Sequence, residues 1–103
     1  MDEPLRAYIV ADIEGTTGVW SKEDTLLASS GWKKARIDMT EDISVSVDAL
    51  FNSGAESVVV KDFHRDGFNL IPRILSKKAH LVRGYYLKPV IMYGNLFWIE
   101  LQK

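Results

Sequence analysis

The sequence predicts an α/β fold: a parallel β-sheet built from βαβ units with flanking helices. Three observations carry that prediction. Tyr8-Ile9-Val10-Ala11 is a short apolar run bounded by turn residues, as expected of a strand buried on both faces. Ala35, Met39, Ile43, Val47 and Leu50 then recur at spacings of four, four, four and three, while Lys33, Lys34, Asp38, Glu41, Asp42 and Asp48 lie elsewhere, which is an amphipathic helix. Val58-Val59-Val60 is a second β-branched run. A strand, a crossover of this length and a second strand imply a parallel, right-handed pair.

Taken in order, residues 5–12 form the first strand, and residues 15–18, rich in Gly and Thr, form a tight loop. Ser21-Lys22-Glu23-Asp24 caps a short helical turn through Leu27, which Ser29-Ser30-Gly31 interrupts. The long helix runs from Trp32 to near Asn52. Gly54 is placed to supply its left-handed cap, and Thr40 and Ser44 lower its propensity without breaking it. Residues 56–61 are the second strand and residues 62–69 a polar loop. Residues 70–78 are predicted as a short helix, with Pro72 in its first turn, where proline is tolerated. Residues 79–82 are a third strand ended by Gly84. The apolar stretches 89–93 and 96–101 suit strand or helix equally. With no internal repeat, low-complexity tract or linker, the 103 residues read as one domain.

Composition narrows the function. The chain is 47% apolar and 26% charged, which is globular rather than disordered. A net charge of -1 with mixed signs gives no electrostatic footprint for nucleic acid or an acidic membrane surface. There is no cysteine, so disulfides and thiolate metal sites are excluded. Met1-Asp2-Glu3-Pro4 is acidic and lacks the apolar core of a secretory signal, and no apolar run approaches the roughly 18 residues that span a membrane. A cytoplasmic location is the expectation. Three Trp, four Tyr and four Phe are many for a chain this small to bury, which points to a partner surface.

The chemistry gathers at the strand ends. In an extended chain residues i and i+2 face the same way, so Asp12 and Glu14 converge while Ile13 points into the core. Two convergent carboxylates repel, and a cation, a shared proton or backbone N–H groups must offset that. Open α/β sheets bind ligands beyond the carboxyl ends of their strands, and Asp62 and His64 lie just past strand two, at the same sheet edge as Asp12 and Glu14. An imidazole with two carboxylates suits zinc, manganese or cobalt, with Asp62 available to orient the His64 ring. The alternative is that the two carboxylates cap the following turn and His64 is a solvated loop histidine. His80, at the start of a strand, reads as structural. Lys61, Arg65 and Lys88 are cations available to a substrate carboxylate, although a solvated surface is the usual place for such residues. Trp20 and Trp32 read as packing.

Two family resemblances bear on these residues. Asp-Ile-Glu-Gly-Thr-Thr at 12–17 resembles the first motif of the enolase-phosphatases in the haloacid dehalogenase superfamily, which implies Asp12 as nucleophile and magnesium as cofactor. The match is short, and no downstream motif accompanies it. A longer resemblance is to the zinc D-aminopeptidases of family M55. Asp-Ile-Glu-Gly-Thr-Thr-Gly-Val is similar to that family's opening, and Ala35-Arg36-x-x-Met39-Thr40 to its next motif. A helix then ends in Gly54-Ala55, a strand ends in Asp62-Phe63-His64, and Asn69-Leu70, Leu81-Val82-x-Gly84 and Lys88-Pro89-x-x-Met92 follow in the family's order. The ordered match spans residues 7–92.

The peptidase resemblance implies that Asp12, Glu14 and His64 bind zinc, with the Asp bridging two ions. It implies a second site completed by a further His and Glu, and a catalytic His, none of which has a counterpart in this sequence; no catalytic residue is therefore assigned. The serine common inside Asp-x-His is Phe63 here. Residues 93–103 depart from the family pattern and read as an unrelated tail, so the expectation is the N-terminal half of a larger peptidase fold carrying one zinc site. The resemblance further implies a small D-amino-acid peptide as substrate and assembly into a ring-shaped homo-oligomer, which would also cover apolar sheet surface. The rival readings are a non-catalytic remnant or oligomeric module that keeps one metal site, and phosphatase chemistry at Asp12.

Overall fold

The computed structural model describes residues 4–19 and 21–84, together with the backbone of residues 97–100. Four strands and one long helix form the frame: β1 (Leu5–Ala11), α1 (Ser30–Asn52), β2 (Ala55–Asp62), β3 (His80–Val82) and β4 (Phe97–Glu100), with a 3-10 turn at Lys22–Thr25. The sheet order is β3-β2-β1-β4, and all three pairings are parallel. β1 and β2 are joined through α1, the βαβ unit expected from the hydrophobic pattern.

The first strand is one residue shorter than expected. It ends at Ala11, because the Asp12 carboxylate accepts the N–H of Ile13 at 2.8 Å and starts a turn in place of another ladder bond. The long helix begins two residues early. Ser29, read as part of an interruption, is its N-cap, with its hydroxyl accepting the N–H of Trp32 at 3.0 Å. Gly31 belongs in that first turn because a Cβ there would collide with Asp24. At the other end Gly54, at φ +106°, takes the left-handed position after the cap.

No helix forms over residues 70–78. That segment is a set of isolated turns in which Ile74 and Leu75 both donate to the carbonyl of Ile71. The N–H groups of Leu70 and Ile71 are held by Asp62 and Thr40, but the helical bonding does not propagate past the Ile71 carbonyl. β3 starts at His80, one residue later than expected, and β4 falls in a stretch that suited strand or helix. Residues 89–93, Lys88 and Trp20 lie outside the described residues.

The core lies between α1 and one face of the sheet. Ala7, Ile9, Ala11 and Ile13 from the first strand and its exit meet Ala35, Met39, Ile43 and Val47 from the helix, with Val58, Val60 and Leu70 beside them. Tyr8 and Val10, on the opposite face of β1, are buried as well. The uncovered sheet face expected of a small domain is therefore not found on β1. Among the described residues the large apolar side chains that meet solvent are Leu26, Leu27, Ile37, Val45, Phe63 and Phe68. No helix among the described residues is long and apolar enough to cross a membrane.

Candidate metal centre

Register decides which side chains meet. Ala11 pairs with Asp62 in the β1–β2 ladder, and the N–H of Phe63 donates to the carbonyl of Ala11 at 2.9 Å. The two strands thus leave the sheet side by side, bringing residues 12–14 against residue 64. Nδ1 of His64 lies 2.9 Å from Oδ1 of Asp12 and 3.4 Å from Oε1 of Glu14, and the three donor atoms all lie within 4.8 Å of one another. Ile13 is buried between the two acids, as alternation predicted.

The cluster grades from core to solvent. The His64 side chain is 4% exposed, Asp12 19% and Glu14 52%. Nε2 of His64 lies 2.8 Å from the carbonyl of Thr25, the last residue of the 3-10 turn. A carbonyl only accepts, so Nε2 carries a proton. Nδ1, facing carboxylates that also only accept, donates to Asp12 from the protonated ring, and loss of that proton would free its lone pair for a metal ion. A main-chain oxygen that fixes the tautomer and orientation of an imidazole is the usual support of a metal-ligating histidine.

Electrostatics follow from this packing. Burial by itself would lower the His64 pKa, but the Asp12 hydrogen bond, the Thr25 carbonyl and the charge of Glu14 together raise it above its ordinary value. Burial pushes the Asp12 carboxyl up, and hydrogen bonds from His64, Glu14 and the Ile13 N–H outweigh it, leaving that pKa low. Glu14 is raised, by desolvation first and then by sharing a hydrogen bond with Asp12. One carboxylate is thus held ionised beside a second that ionises less readily. A cation placed among the three would satisfy both.

The donor set fits zinc. Bonds of roughly 2.0–2.2 Å to nitrogen and oxygen in a tetrahedron put neighbouring donors about 3.4 Å apart. The His64–Glu14 separation already has that value, the His64–Asp12 pair is slightly closer, and with all three donors within 4.8 Å the carboxylates need only small rotations to reach it.

Asp62 does not touch the His64 ring. Its fully buried carboxylate accepts the N–H groups of Asn69 at 2.6 Å and Leu70 at 2.7 Å, and Nδ2 of Asn69 at 2.9 Å. It reaches His64 only through Asn69, whose Nδ2 also donates to the His64 carbonyl at 2.6 Å. Asn69 in turn is fastened to α1. Trp32 Nε1 donates to its Oδ1 and Arg36 Nε to its main-chain oxygen, both at 2.8 Å, while the Arg36 guanidinium lies over the Trp32 ring. About two turns of helix, from Trp32 through Arg36 to Thr40, are thereby tied to the loop that carries the histidine and the residues after it, which gives the Arg36 and Thr40 positions of the helix motif a physical task. Neither Asn69 nor the Thr25 carbonyl stood out from the sequence as part of the site.

The remaining cations separate. Lys61 is not on a solvated surface: it is 1% exposed, and its ammonium donates to the carbonyls of Asp62 and Gly84, tying the end of β2 to the residue beyond β3. Arg65 is exposed, with its backbone in the left-handed region at φ 54°. His80 is exposed on β3 and takes no part in the cluster.

Comparison with known proteins places the chain in a family. The profile of the D-aminopeptidase family of peptidases (M55) matches residues 5–96. The chain belongs to the D-aminopeptidase family. It is 32% identical over 94 residues to the D-aminopeptidase of Bacillus subtilis (strain 168), a match covering 89% of this chain and 33% of the relative. Among solved structures it is similar to the Zn-dependent D-aminopeptidase DppA from Bacillus subtilis, described as a self-compartmentalizing protease. That similarity has a TM-score of 0.71 at 30% identity, over 79% of this chain and 30% of the other. The chain thus spans about a third of the length of these D-aminopeptidases. The short phosphatase resemblance gains no support from these comparisons.

Proposed function

We propose that this chain builds an Asp12–Glu14–His64 zinc site of a D-aminopeptidase-type hydrolase acting on small peptides that contain D-residues. The observation that carries the reading is the convergence of three donor atoms within 4.8 Å, with the histidine tautomer fixed by a main-chain carbonyl. The zinc dependence of the Bacillus subtilis structural relative supports the choice of ion. Zinc held there supplies Lewis-acid polarisation of a scissile carbonyl and hydroxide near neutral pH. His64 contributes a neutral, pre-oriented nitrogen from the buried side. Asp12 contributes a carboxylate already tied by the Ile13 N–H, and Glu14 a carboxylate at the solvent mouth. Asp62 acts at one remove, holding Asn69, which holds the His64 main chain.

Among the described residues these three form the one cluster suited to a metal ion. We accordingly propose one complete zinc site per chain, and self-association in keeping with the self-compartmentalizing relative. The test is metal content of protein purified without chelator, beside Asp12→Ala and His64→Ala. About one zinc per chain, lost in both variants, is the expected result. Two would mean that an assembly supplies further donors. Zinc bound without hydrolysis of D-residue peptides would leave a metal-binding module. No zinc, with both variants folded, would refute the reading.

A further inference from the structure

His64 is held at both ends by one closed circuit of hydrogen bonds. On the ring side, Nε2 donates to the carbonyl of Thr25 at 2.8 Å, and Thr25 closes the 3-10 turn Lys22–Thr25. That turn is fastened to the start of α1. The Ser29 hydroxyl donates to the carbonyl of Glu23 at 3.1 Å and accepts the main-chain N–H of Trp32 at 3.0 Å. On the main-chain side, Trp32 Nε1 donates to Oδ1 of Asn69 at 2.8 Å, and Nδ2 of Asn69 donates to the His64 carbonyl at 2.6 Å. The two arms meet at a single residue, and Trp32 supplies an N–H to each.

The local geometry of both arms is tightly determined. Between the 3-10 turn and α1 the chain reverses through Ala28 at φ 66°, a left-handed conformation that a residue with a Cβ keeps only where its surroundings enforce it. The reversal brings the Ser29 hydroxyl back over Glu23, and no Cβ would fit at Gly31 against Asp24, so turn and helix lie in direct contact. On the other arm the Asn69 amide has one orientation open to it. An indole N–H only donates, while the Asp62 carboxylate and the His64 carbonyl only accept, so Oδ1 must face Trp32 and Nδ2 the other two.

We infer that Trp32 is a positioning residue for the proposed zinc-binding His64, setting the direction of its imidazole through Ser29 and the 3-10 turn and the place of its main chain through Asn69. It acts through these partners and not on the ion itself. Because the arms form one circuit, cutting either frees the histidine to turn, and a second cut then removes little more. The inference rests on the zinc reading above for the ion; the circuit stands on this chain's own contacts.

The test is zinc affinity, by competition with a chromophoric chelator, for the 103-residue protein, Trp32→Phe, Ser29→Ala and the double variant. Trp32→Phe keeps an aromatic ring and the main-chain N–H but loses the indole donor. Each single substitution should weaken zinc binding about tenfold, and the double variant should fall well short of about a hundredfold. Val47→Ala, buried about four turns further along α1, is the control for stability: it should lower the melting temperature at least as far while leaving zinc affinity unchanged. Wild-type affinity in Trp32→Phe, single effects that multiply in the double variant, or an equal loss in Val47→Ala would overturn the inference. A wild type that takes up no zinc would refute the metal reading alone. Exchange of the His64 Nε2–H, followed by NMR in the metal-free protein, would then decide the circuit: about tenfold faster exchange in Trp32→Phe is expected, and an unchanged rate would overturn it.

Discussion

Replacing Asn69 by alanine should destabilise the protein far more than a loop substitution ordinarily does. The side chain is fully buried and makes three hydrogen bonds: both donors, on Asp62 Oδ1 and the His64 carbonyl, and its oxygen accepting from Trp32 Nε1. A buried polar group left unsatisfied costs about 1–3 kcal/mol. Asp62 keeps two backbone N–H donors on its other oxygen, and Trp32 is half-buried and can rehydrate. The expected loss is therefore about 3–5 kcal/mol, below the sum of three full penalties. That is a large share of the ~5–15 kcal/mol typical of a whole domain. Urea denaturation followed by tryptophan fluorescence reads it directly: at a slope near ~1.5 kcal/mol/M the midpoint should fall by about 2–3 M. Zinc affinity should fall by about 10–100-fold, since the histidine loses its anchor. Asp66→Ala is the matched control, because Asp66 only caps the exposed Phe68 N–H in the same loop, and should cost about 1 kcal/mol or less. An Asn69→Ala midpoint no lower than that of the control would refute the claim that this residue holds the loop.

Other perturbations test the remaining supports. Lys61→Met keeps the buried stem but strips the donor from the Asp62 and Gly84 carbonyls, and thermal denaturation should register a loss of about 1–3 kcal/mol. Gly67→Ala should be more damaging than Gly54→Ala: both have positive φ, but a Cβ at 67 would meet the Gly84 backbone at 2.5 Å, while at 54 nothing lies within 4 Å. A chemical-denaturation comparison in which the two substitutions cost the same would contradict that packing. In chelator-treated protein the raised pKa of His64 means its ion pair stabilises fully below about pH 6.5 and fades as pH rises through the folded value; His64→Ala should lack that decline. Zinc at a hundredfold excess over its Kd should add about 2.7 kcal/mol to wild-type stability and nothing to His64→Ala, as read by melting temperature.

The parts of this protein legible in its sequence are those set by local pattern. Strand alternation placed Asp12 and Glu14 together with Ile13 inward, and the crossover rule put His64 at the same sheet edge. What escaped was set by partners distant in the chain. Residues 70–78 have a helix-like composition, yet they form isolated turns whose first N–H groups are fastened to Asp62 and Thr40, partners 8 and 31 positions away. Lys61 in a β-branched run looks like an outward-facing residue, and its burial is made tolerable by the Asp62 carbonyl next to it together with the Gly84 carbonyl, 23 positions away. Asn69 is an ordinary loop residue until Trp32 and Arg36, more than 30 positions earlier, reach it. The Thr25 carbonyl could not have been read at all, since every residue has one.

The pairing of Ala11 with Asp62 carries a consequence for how the chain reaches its native state. Asp12 and His64 are separated by 52 residues, so the donor cluster does not exist until that long loop has closed. A slip of β1 against β2 by a single residue would turn every side chain of the strand to the other face and scatter the three donors. Metal affinity is then a gauge of strand alignment. Zinc present during refolding would reward the correct register alone, and an ion associated with chemistry would also act as a proofreader of topology.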